Sequence, residues 1–497
     1  MIYDLAVVGG GINGVGIAAD AAGRGLSVLL VEMGDLASGT SSYSSKLVHG
    51  GLRYLEHFEF RLVRKSLQER EVLLARAPHI IWPLRFVLPQ GPGGRSSLLL
   101  RAGLFLYDHL GSRERIPGSS AVDLTRDPAG RPLRRDLASG FTYWDCHVDD
   151  ARLVVLNARA AADKGAAIKT RTRVEAIIAE GIEWRIALNG VGGKCEVRAR
   201  ALVNAAGPWT QDVASRFGGD QSRVKEAIRL VKGSHIVVPR IAGAQDAYLC
   251  QSTDGRVVFA IPYEKRFTLI GTTDVPFSGD PSDAEIDEDE QGYLIGLANQ
   301  YFAQPLARAD IVWSFSGVRS LYDGSRSANV SSVSRDYHFE LNAEPGRPPL
   351  LTVLGGKLTT YRRLAETGLA RLAPSIPQMG PAWTANATLP GGDLGEVSLP
   401  GFVQRLCRTR PAFDPEYLDR LARCYGTRVD NVLGDARRES DLGAALGGGL
   451  TEREVCYLNQ HEWASEPDDV LWRRTKCGLH MTVDERRLAA EKIAKFL

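Results

Sequence analysis

The chain has 497 residues, too many for one hydrophobic core, so two or three domains are the expectation. With 44% hydrophobic and 24% charged residues it has a water-soluble globular composition, not a disordered or fibrous one. A formal net charge of +2 gives no reason to expect nucleic acid as a partner, so any anion recognition must be local.

The first segment, IYDLAVVGG, reads as an apolar strand centred on Leu5–Val8 and leaves no room for a secretory signal. Asn13–Arg24 reads as an alanine-rich helix, and Ser27–Val31 as a second buried strand ending in Glu32. Between first strand and helix, Gly9, Gly11 and Gly14 fall in GxGxxG spacing. Glycines there permit the tight turn and let a pyrophosphate approach the helix N-terminus. Glu32 stands where a carboxylate takes a ribose hydroxyl, which disfavours the 2′-phosphate of NADP.

Residues 44–61, SSKLVHGGLRYLEHFEFR, set Lys46, His49, Arg53 and Tyr54 around Gly50–Gly51. The glycine pair lets the backbone approach a flat ligand closely, and the cations suit a second, anionic one. A helix follows over roughly Glu59–Ala77, then Pro- and Gly-rich sequence from Pro78 to Gly94 breaks the pattern. Segment 97–113, SLLLRAGLFLYDHLGSR, has two readings, a buried helix or a membrane-docking one, and the buried helix is preferred. No window of about 18 unbroken apolar residues, the length of a spanning helix, occurs.

Asp149 or Asp150 caps a helix running to about Lys164. AAIKTRTRVEAIIAE and IEWRIAL are strand-like, with Val174 placed to meet an adenine. RALVNAAGPWT is a strand running into a small-residue turn. From Ser234 to Val275 strands and turns alternate as in an antiparallel sheet. The helix DAEIDEDEQGYLIGLANQYF carries its acidic run as a solvated face. DIVWSFSGVRSL is another strand, and PLLTVLGGKLTTYRRLAETGLARL a strand, turn and helix. Gly355–Gly356 opens that helix, whose first amides suit the pyrimidine edge of a flavin, where negative charge grows on reduction. After a loose stretch (374–401) the remainder is mainly helical. The antiparallel insertion, with no second GxGxxG, favours FAD over NAD.

The expected fold is mixed α/β. A Rossmann-like FAD-binding domain comprises 1–80, 145–230 and 312–373. An inserted antiparallel-sheet substrate domain comprises 81–144 and 231–311, and a helical C-terminal domain 385–497. Seven scattered cysteines without a CxxC pair read as free thiols of a reducing compartment. Cys456, His461, Cys477 and His480 lack the spacing of a common zinc site, so no metal is expected.

Taken together, GGGINGVGIAADAAGRGLSVLLVE, TSSYSSKLVHGGLRYLE, WDCHVDDARLV, KGSHIVVPR, IGTTD, SGVRSL, GGKLTTYR and DDVLWRRTKCG closely resemble the FAD-dependent glycerol-3-phosphate dehydrogenases. These belong among the glycine/D-amino-acid-oxidase-like flavoproteins, and the likeness runs in order along nearly the whole chain. It implies non-covalent FAD and oxidation of sn-glycerol 3-phosphate to dihydroxyacetone phosphate, with electrons passed to a membrane quinone. It also implies a cytoplasmic enzyme peripherally attached to the inner face of the cell membrane, and leaves a homodimer open. By the same resemblance Arg53, Tyr54, Arg319, Arg335 and Lys357 lie close to the substrate. The cofactor is flanked by Asn13, Ser41, Ser42, Lys46, Leu47, Gly207, Gly317, Gly356, Lys357, Leu358 and Thr359. Two departures are Ser320, where proline is frequent, and Tyr43, where a smaller or basic residue is usual. Tyr43 bears on how the loop packs over the flavin.

Oxidising a secondary alcohol removes a hydride from carbon 2 and a proton from its hydroxyl, and a base titrating near neutrality points to histidine. His49, beside the glycine pair, is preferred; His235 is the alternative base and otherwise a substrate contact. Arg319 against the substrate oxygen would stabilise an alkoxide. The rival readings are an oxidase that uses the same substrate and makes hydrogen peroxide from oxygen, or another oxidase of the superfamily. Segment 81–110 separates the first of these from the dehydrogenase, because membrane association favours the latter.

Overall fold

The structure, a computed structural model, describes residues 2–91, 95–218, 228–252, 255–323 and 336–497. Arg335 therefore lies outside the described residues.

Strand Ile2–Val8 is buried from Asp4 onward and pairs in parallel with Val28–Val31 on one side and Gly193–Asn204 on the other. Parallel strands Ala167–Lys169 and Leu350–Gly355 extend the sheet outward in both directions, and Tyr337–Asn342 closes it antiparallel. Strands buried on both faces read as unbroken apolar runs, which is why AVV and VLLV carry no alternation. Helices Ile12–Gly23, Asp150–Asp163 and Tyr361–Leu372 share one core with this sheet, through Val15, Ala18, Ala151, Val154, Leu364 and Ala365. The other side carries an antiparallel meander of Thr172–Glu180 and Glu183–Gly190 returning into Gly193–Asn204.

A second sheet of ten strands is antiparallel except where Ala247–Gln251 meets Ile81–Gln90. Its long members include Ile81–Gln90, Ser139–Val148 and Ile228–Pro239. Strand Trp313–Tyr322 pairs with Ile228–Pro239 from Val237↔Trp313 to Ile228↔Tyr322, so it extends this sheet and not the first. The stretch expected to be only a break, Pro78–Gly94, contains a ten-residue strand despite Pro83 and Pro89. One of its edges pairs throughout with Ser139–Val148 and the other meets a neighbour only at Phe86 and Val87, where no proline has to donate.

Packing limits one further expectation and overturns another. Helix Glu288–Tyr301 starts with a capping box of Asp287 and Glu290, and its acidic run is a solvated face at Asp283, Glu285, Asp287, Glu288 and Asp289, with Glu290 the exception. It is buried, paired with Lys232 at 2.8 Å and accepting from Ser234 and Thr273. Helix Ser97–His109 is not a buried element: it covers Leu100, Leu104 and Tyr107 and leaves Leu98 79% and Phe105 61% exposed. The C-terminal residues form helices Leu399–Thr409, Pro415–Tyr425, Glu452–Glu462 and Val483–Ile493 around their own core of Leu418, Leu421, Val455, Leu458 and Ile493.

Candidate active site

A cavity of about 1280 Å³ opens at the C-terminal ends of the parallel strands and runs between the two sheets. Typical single-ligand pockets hold roughly 300–1,000 Å³, so this one suits a long cofactor together with a small molecule.

One end is built by glycine. Gly9 has φ +114°, and a Cβ there would meet the Ala205 carbonyl oxygen at 2.6 Å; a Cβ on Gly14 would lie 1.9 Å from the Gly9 oxygen. Gly11 precedes helix Ile12–Gly23 without a side-chain cap, and the Ile12 N–H donates to Ser41 Oγ at 3.0 Å. Glu32 accepts from the N–H of Gly10 at 2.6 Å and of Gly34 at 2.8 Å. Burial raises its pKa, against these backbone donors. Val174 is buried in the cavity wall, and its carbonyl accepts from Arg216 at 2.7 Å.

The loop after the second strand is locked from outside itself. Lys46, at φ +56° and 1% exposed, donates to Asp150 at 2.9 Å and to the Ser42 carbonyl at 2.8 Å. Burial pulls its pKa down while Asp150 opposes. Lys46 thus lines the cavity as a fastener of the Ser42–Lys46 turn, its charge already matched by Asp150, and not as a cation turned toward an anionic ligand. Asp149 caps helix Asp150–Asp163, which frees Asp150 to face this loop. Leu47 is buried in a short strand, Leu47–Val48, against Cys146 and His147.

His49 lines the cavity, and its N–H donates to Thr359 Oγ1 at 3.2 Å. Beyond Gly51, at φ +81°, Arg53 and Tyr54 turn into the same space. Lys357 comes from the opposite wall and sets its ammonium 3.5 Å from the centre of the Tyr54 ring. Gly355 and Gly356 have φ +70° and +100°; a Cβ on Gly356 would sit 3.1 Å from Asn13 Nδ2. Asn13 donates to the Gly355 carbonyl at 3.2 Å, while its buried Oδ1 has no hydrogen-bond partner among the described residues. Leu358 and Thr359 complete this wall, with Gly207, at φ +56°, and Gly317 facing them. Gly317 is required by the neighbouring loop, since a Cβ would meet Tyr43 Cβ at 2.8 Å.

Arg319 projects from the second sheet. It pairs with Asp274 at 2.7 Å and donates to the Thr273 carbonyl at 2.9 Å. Gly233, opposite it, leaves room for the guanidinium, since a Cβ there would lie 1.9 Å from Nη2. His235 is buried, stacked on Phe315 at 4.9 Å, with Nε2 2.9 Å from Ser45 Oγ. Burial drives its pKa well below the ordinary value, and the charges of Lys46 and Arg319 add to that.

The structure therefore brings Arg53, Tyr54, His49, His235, Arg319 and Lys357 to one cavity from four separate segments. Sequence reasoning missed Asp150 and Asp274, which hold Lys46 and Arg319, and the C-terminal residues Trp472, Arg473 and Lys476, which also line it. Trp472 stacks on Trp313 at 4.7 Å. The only signal for these last three was their place in the segment DDVLWRRTKCG. The glycine cradle, the orphaned Asn13 oxygen, Glu32 and the cavity volume fit FAD.

Comparison with known proteins agrees. The pattern of the family described as FAD dependent oxidoreductase matches residues 4–362, and that of the C-terminal domain of alpha-glycerophosphate oxidase matches residues 382–497. The chain is 54% identical to a glycerol-3-phosphate dehydrogenase of Pseudomonas aeruginosa, covering 98% of this chain and 94% of that one. It is 51% identical to a D-erythritol 1-phosphate dehydrogenase of Brucella abortus, covering 98% and 97%. The aerobic glycerol-3-phosphate dehydrogenase of Escherichia coli is 47% identical, covering 99% and 97%. Among solved structures, the glycerol-3-phosphate dehydrogenase of Bacillus halodurans complexed with FAD superposes with TM-score 0.76 at 27% identity, covering 100% and 94%.

Proposed function

The chain belongs to the FAD-dependent oxidoreductases, and from that premise we propose that it oxidises sn-glycerol 3-phosphate to dihydroxyacetone phosphate and passes the electrons to a membrane quinone. The observation that carries this reading is the convergence of Arg53, Arg319 and Lys357, from three separate segments, on the cavity wall that also holds His49. A phosphate monoester carries nearly two negative charges and needs several donors from different directions. Tyr54 holds the Lys357 ammonium over its ring, which keeps that cation aimed without neutralising it.

FAD bound in the cavity supplies the hydride acceptor for carbon 2. Gly9 and Gly11 would hold its pyrophosphate, with Gly14 packed behind them against the Gly9 carbonyl, Glu32 would take its ribose and Val174 would meet its adenine. Asn13, Ser41, Ser42, Lys46, Leu47, Gly207, Gly317, Gly356, Lys357, Leu358 and Thr359 surround the rest. His49 takes the hydroxyl proton. His235 is the weaker base, because burial keeps its pKa low and Ser45 already occupies Nε2; it serves as a substrate contact. Arg319, fixed by Asp274, presents a rigid donor to the oxygen as its charge grows. The oxygen-using oxidase reading lacks the support of the apolar surface that a quinone-linked enzyme needs. Helix Ser97–His109 supplies that surface, exposing Leu98, Leu99, Phe105 and Leu106 beside Phe58, with Arg101 among them. No helix among the described residues is long and apolar enough to cross a membrane; the exposed apolar face of helix Ser97–His109 supports peripheral attachment, at the inner face of the cell membrane.

A longer polyol phosphate is the second reading, favoured by the relative named for D-erythritol 1-phosphate. The test is anaerobic: the purified flavoprotein receives sn-glycerol 3-phosphate, D-erythritol 1-phosphate, glycerol or L-lactate while its flavin absorbance is followed. Rapid bleaching by sn-glycerol 3-phosphate alone is expected, with reoxidation faster by a soluble quinone than by oxygen. Bleaching by the four-carbon ester alone would move the substrate assignment, and bleaching by neither would remove it.

A further inference from the structure

The backbone around His49 is anchored on both sides. On one side Thr359 accepts from the His49 N–H at 3.2 Å and returns its hydroxyl proton to the His49 carbonyl at 3.3 Å. On the other, the N–H of Gly50 is shared between Tyr107 Oη at 2.9 Å and Asp145 Oδ1 at 3.2 Å. Tyr107 donates to the Asp145 carboxylate at 2.7 Å, and Arg70 donates to it at 2.7 Å. The three side chains come from helix Ser97–His109, strand Ser139–Val148 and helix Phe60–Arg76, and each is at least 98% buried. Tyr107 and Asp145 converge on the single N–H that follows His49.

Such a network is costly. Burial raises the pKa of Asp145 against the pull of Arg70 and Tyr107, and three apolar side chains would fill the same space with no desolvation cost. Gly50 is shaped to it, because a Cβ there would lie 2.6 Å from Tyr107 Oη and 2.5 Å from Leu67 Cδ2. None of the three charged or polar groups lines the cavity, so none touches substrate.

We propose that Tyr107, Asp145 and Arg70 are positioning residues for His49: they hold the Gly50 N–H, and through it the angle at which the imidazole meets the substrate hydroxyl. The inference rests on His49 being the base. A misplacement of about 1 Å in such a group can cost roughly 100-fold in rate.

The test compares Tyr107→Phe, His49→Asn and the double variant in anaerobic flavin reduction by sn-glycerol 3-phosphate. Tyr263→Phe is the control, removing a buried hydroxyl that has no hydrogen-bond partner among the described residues. Tyr107→Phe is expected to lower the limiting reduction rate about 10- to 100-fold, with substrate affinity and FAD content unchanged. The double variant should be no slower than His49→Asn alone, because a residue acting through His49 has nothing left to act on. Losses that multiply, or an unchanged rate in Tyr107→Phe, would overturn the proposal. Hydrogen exchange keeps the two readings apart: the amide of Gly50 should exchange faster in Tyr107→Phe and not in His49→Asn. Wild-type reduction by His49→Asn would sink the base assignment and the positioning role with it, whereas slow reduction by His49→Asn with unaltered Gly50 exchange in Tyr107→Phe would sink the positioning role alone. Asp145→Asn gives the same readouts if Tyr107→Phe fails to accumulate.

Discussion

At the scale of single residues, the site is shaped as much by missing side chains as by present ones. A Cβ on Gly14 would lie 1.9 Å from the Gly9 carbonyl oxygen, and backbone cannot step aside as a flexible side chain does. Gly14→Ala is therefore expected to purify without flavin or not at all, as read by the ratio of flavin to protein absorbance. Gly233 and Gly271 are small for another reason, since the Arg319 guanidinium and the His235 ring occupy the space a Cβ would take. Lys46 shows where local reading stops. Its sequence neighbourhood suggests a cation facing an anion, but the carboxylate that neutralises it is Asp150, over a hundred positions away. A charge tells its own sign in the sequence; its partner is a matter of folding.

At the scale of elements, helix Ser97–His109 has two working faces. Tyr107 points inward to the loop of His49, and Leu98, Leu99, Phe105 and Leu106 point outward. The double variant Leu99→Glu/Phe105→Glu should lose co-flotation with anionic phospholipid vesicles while keeping anaerobic reduction by substrate within about 2-fold, since neither side chain lines the cavity. Equal flotation of both proteins would discard this face as the attachment surface. The segment SLLLRAGLFLYDHLGSR forms the helix that both readings of it expected, but its leucines and aromatics left burial as the preferred one. Only the position of the second sheet decides which leucines are covered. The strand Ile81–Gln90 is a similar case, because its prolines signal a break and sheet pairing overrides them.

At the scale of the whole molecule, the C-terminal helices are clamped onto the dinucleotide sheet by buried charge. Arg474 donates with both Nη atoms to Asp35 at 2.7 Å, Arg473 reaches the same carboxylate at 2.6 Å, and Arg152 pairs with Glu462. Burial would raise the pKa of Asp35, but the two guanidinium groups more than offset it and hold the carboxyl at about 2. Asp35→Ala leaves the buried Arg474 guanidinium without its carboxylate, while Arg473 keeps Asp469, so it should cost about 3–5 kcal/mol in urea unfolding. It should also weaken FAD retention, because Asp35 lies three residues beyond Glu32 in the loop that lines the cavity. His79 and His147 are buried, and burial lowers both pKa values to about 3. In the unfolded chain they titrate near 6.5, so between about 6.5 and 3 the unfolded state binds more protons. Stability is then full above pH 6.5 and falls on acidification by about 1.4 kcal/mol per pH unit for each such histidine. A urea series from pH 7.5 to 5.0 should show this slope, and His79→Leu should flatten it.

What the sequence determined by itself was whatever is encoded locally. The βαβ unit with Gly9, Gly11, Gly14 and Glu32, the glycine pairs at 50–51 and 355–356 and the helical C-terminal region follow from periodicity and from glycine spacing, with Gly9, Gly51, Gly355 and Gly356 at positive φ. Those features depend on neighbours within about thirty residues, so they are legible in one dimension. The tertiary structure alone decided which charges are spent and which remain available. Lys46 is held by Asp150 and Asp35 by Arg473 and Arg474, and Glu290 disappears into the core, while Arg319, braced by Asp274, still lines the cavity. It also decided that Tyr107, Asp145 and Arg70 meet behind His49. Each of those choices depends on the distance between groups far apart in the chain, and electrostatic and hydrogen-bond energies act on distance in space, not on separation in sequence.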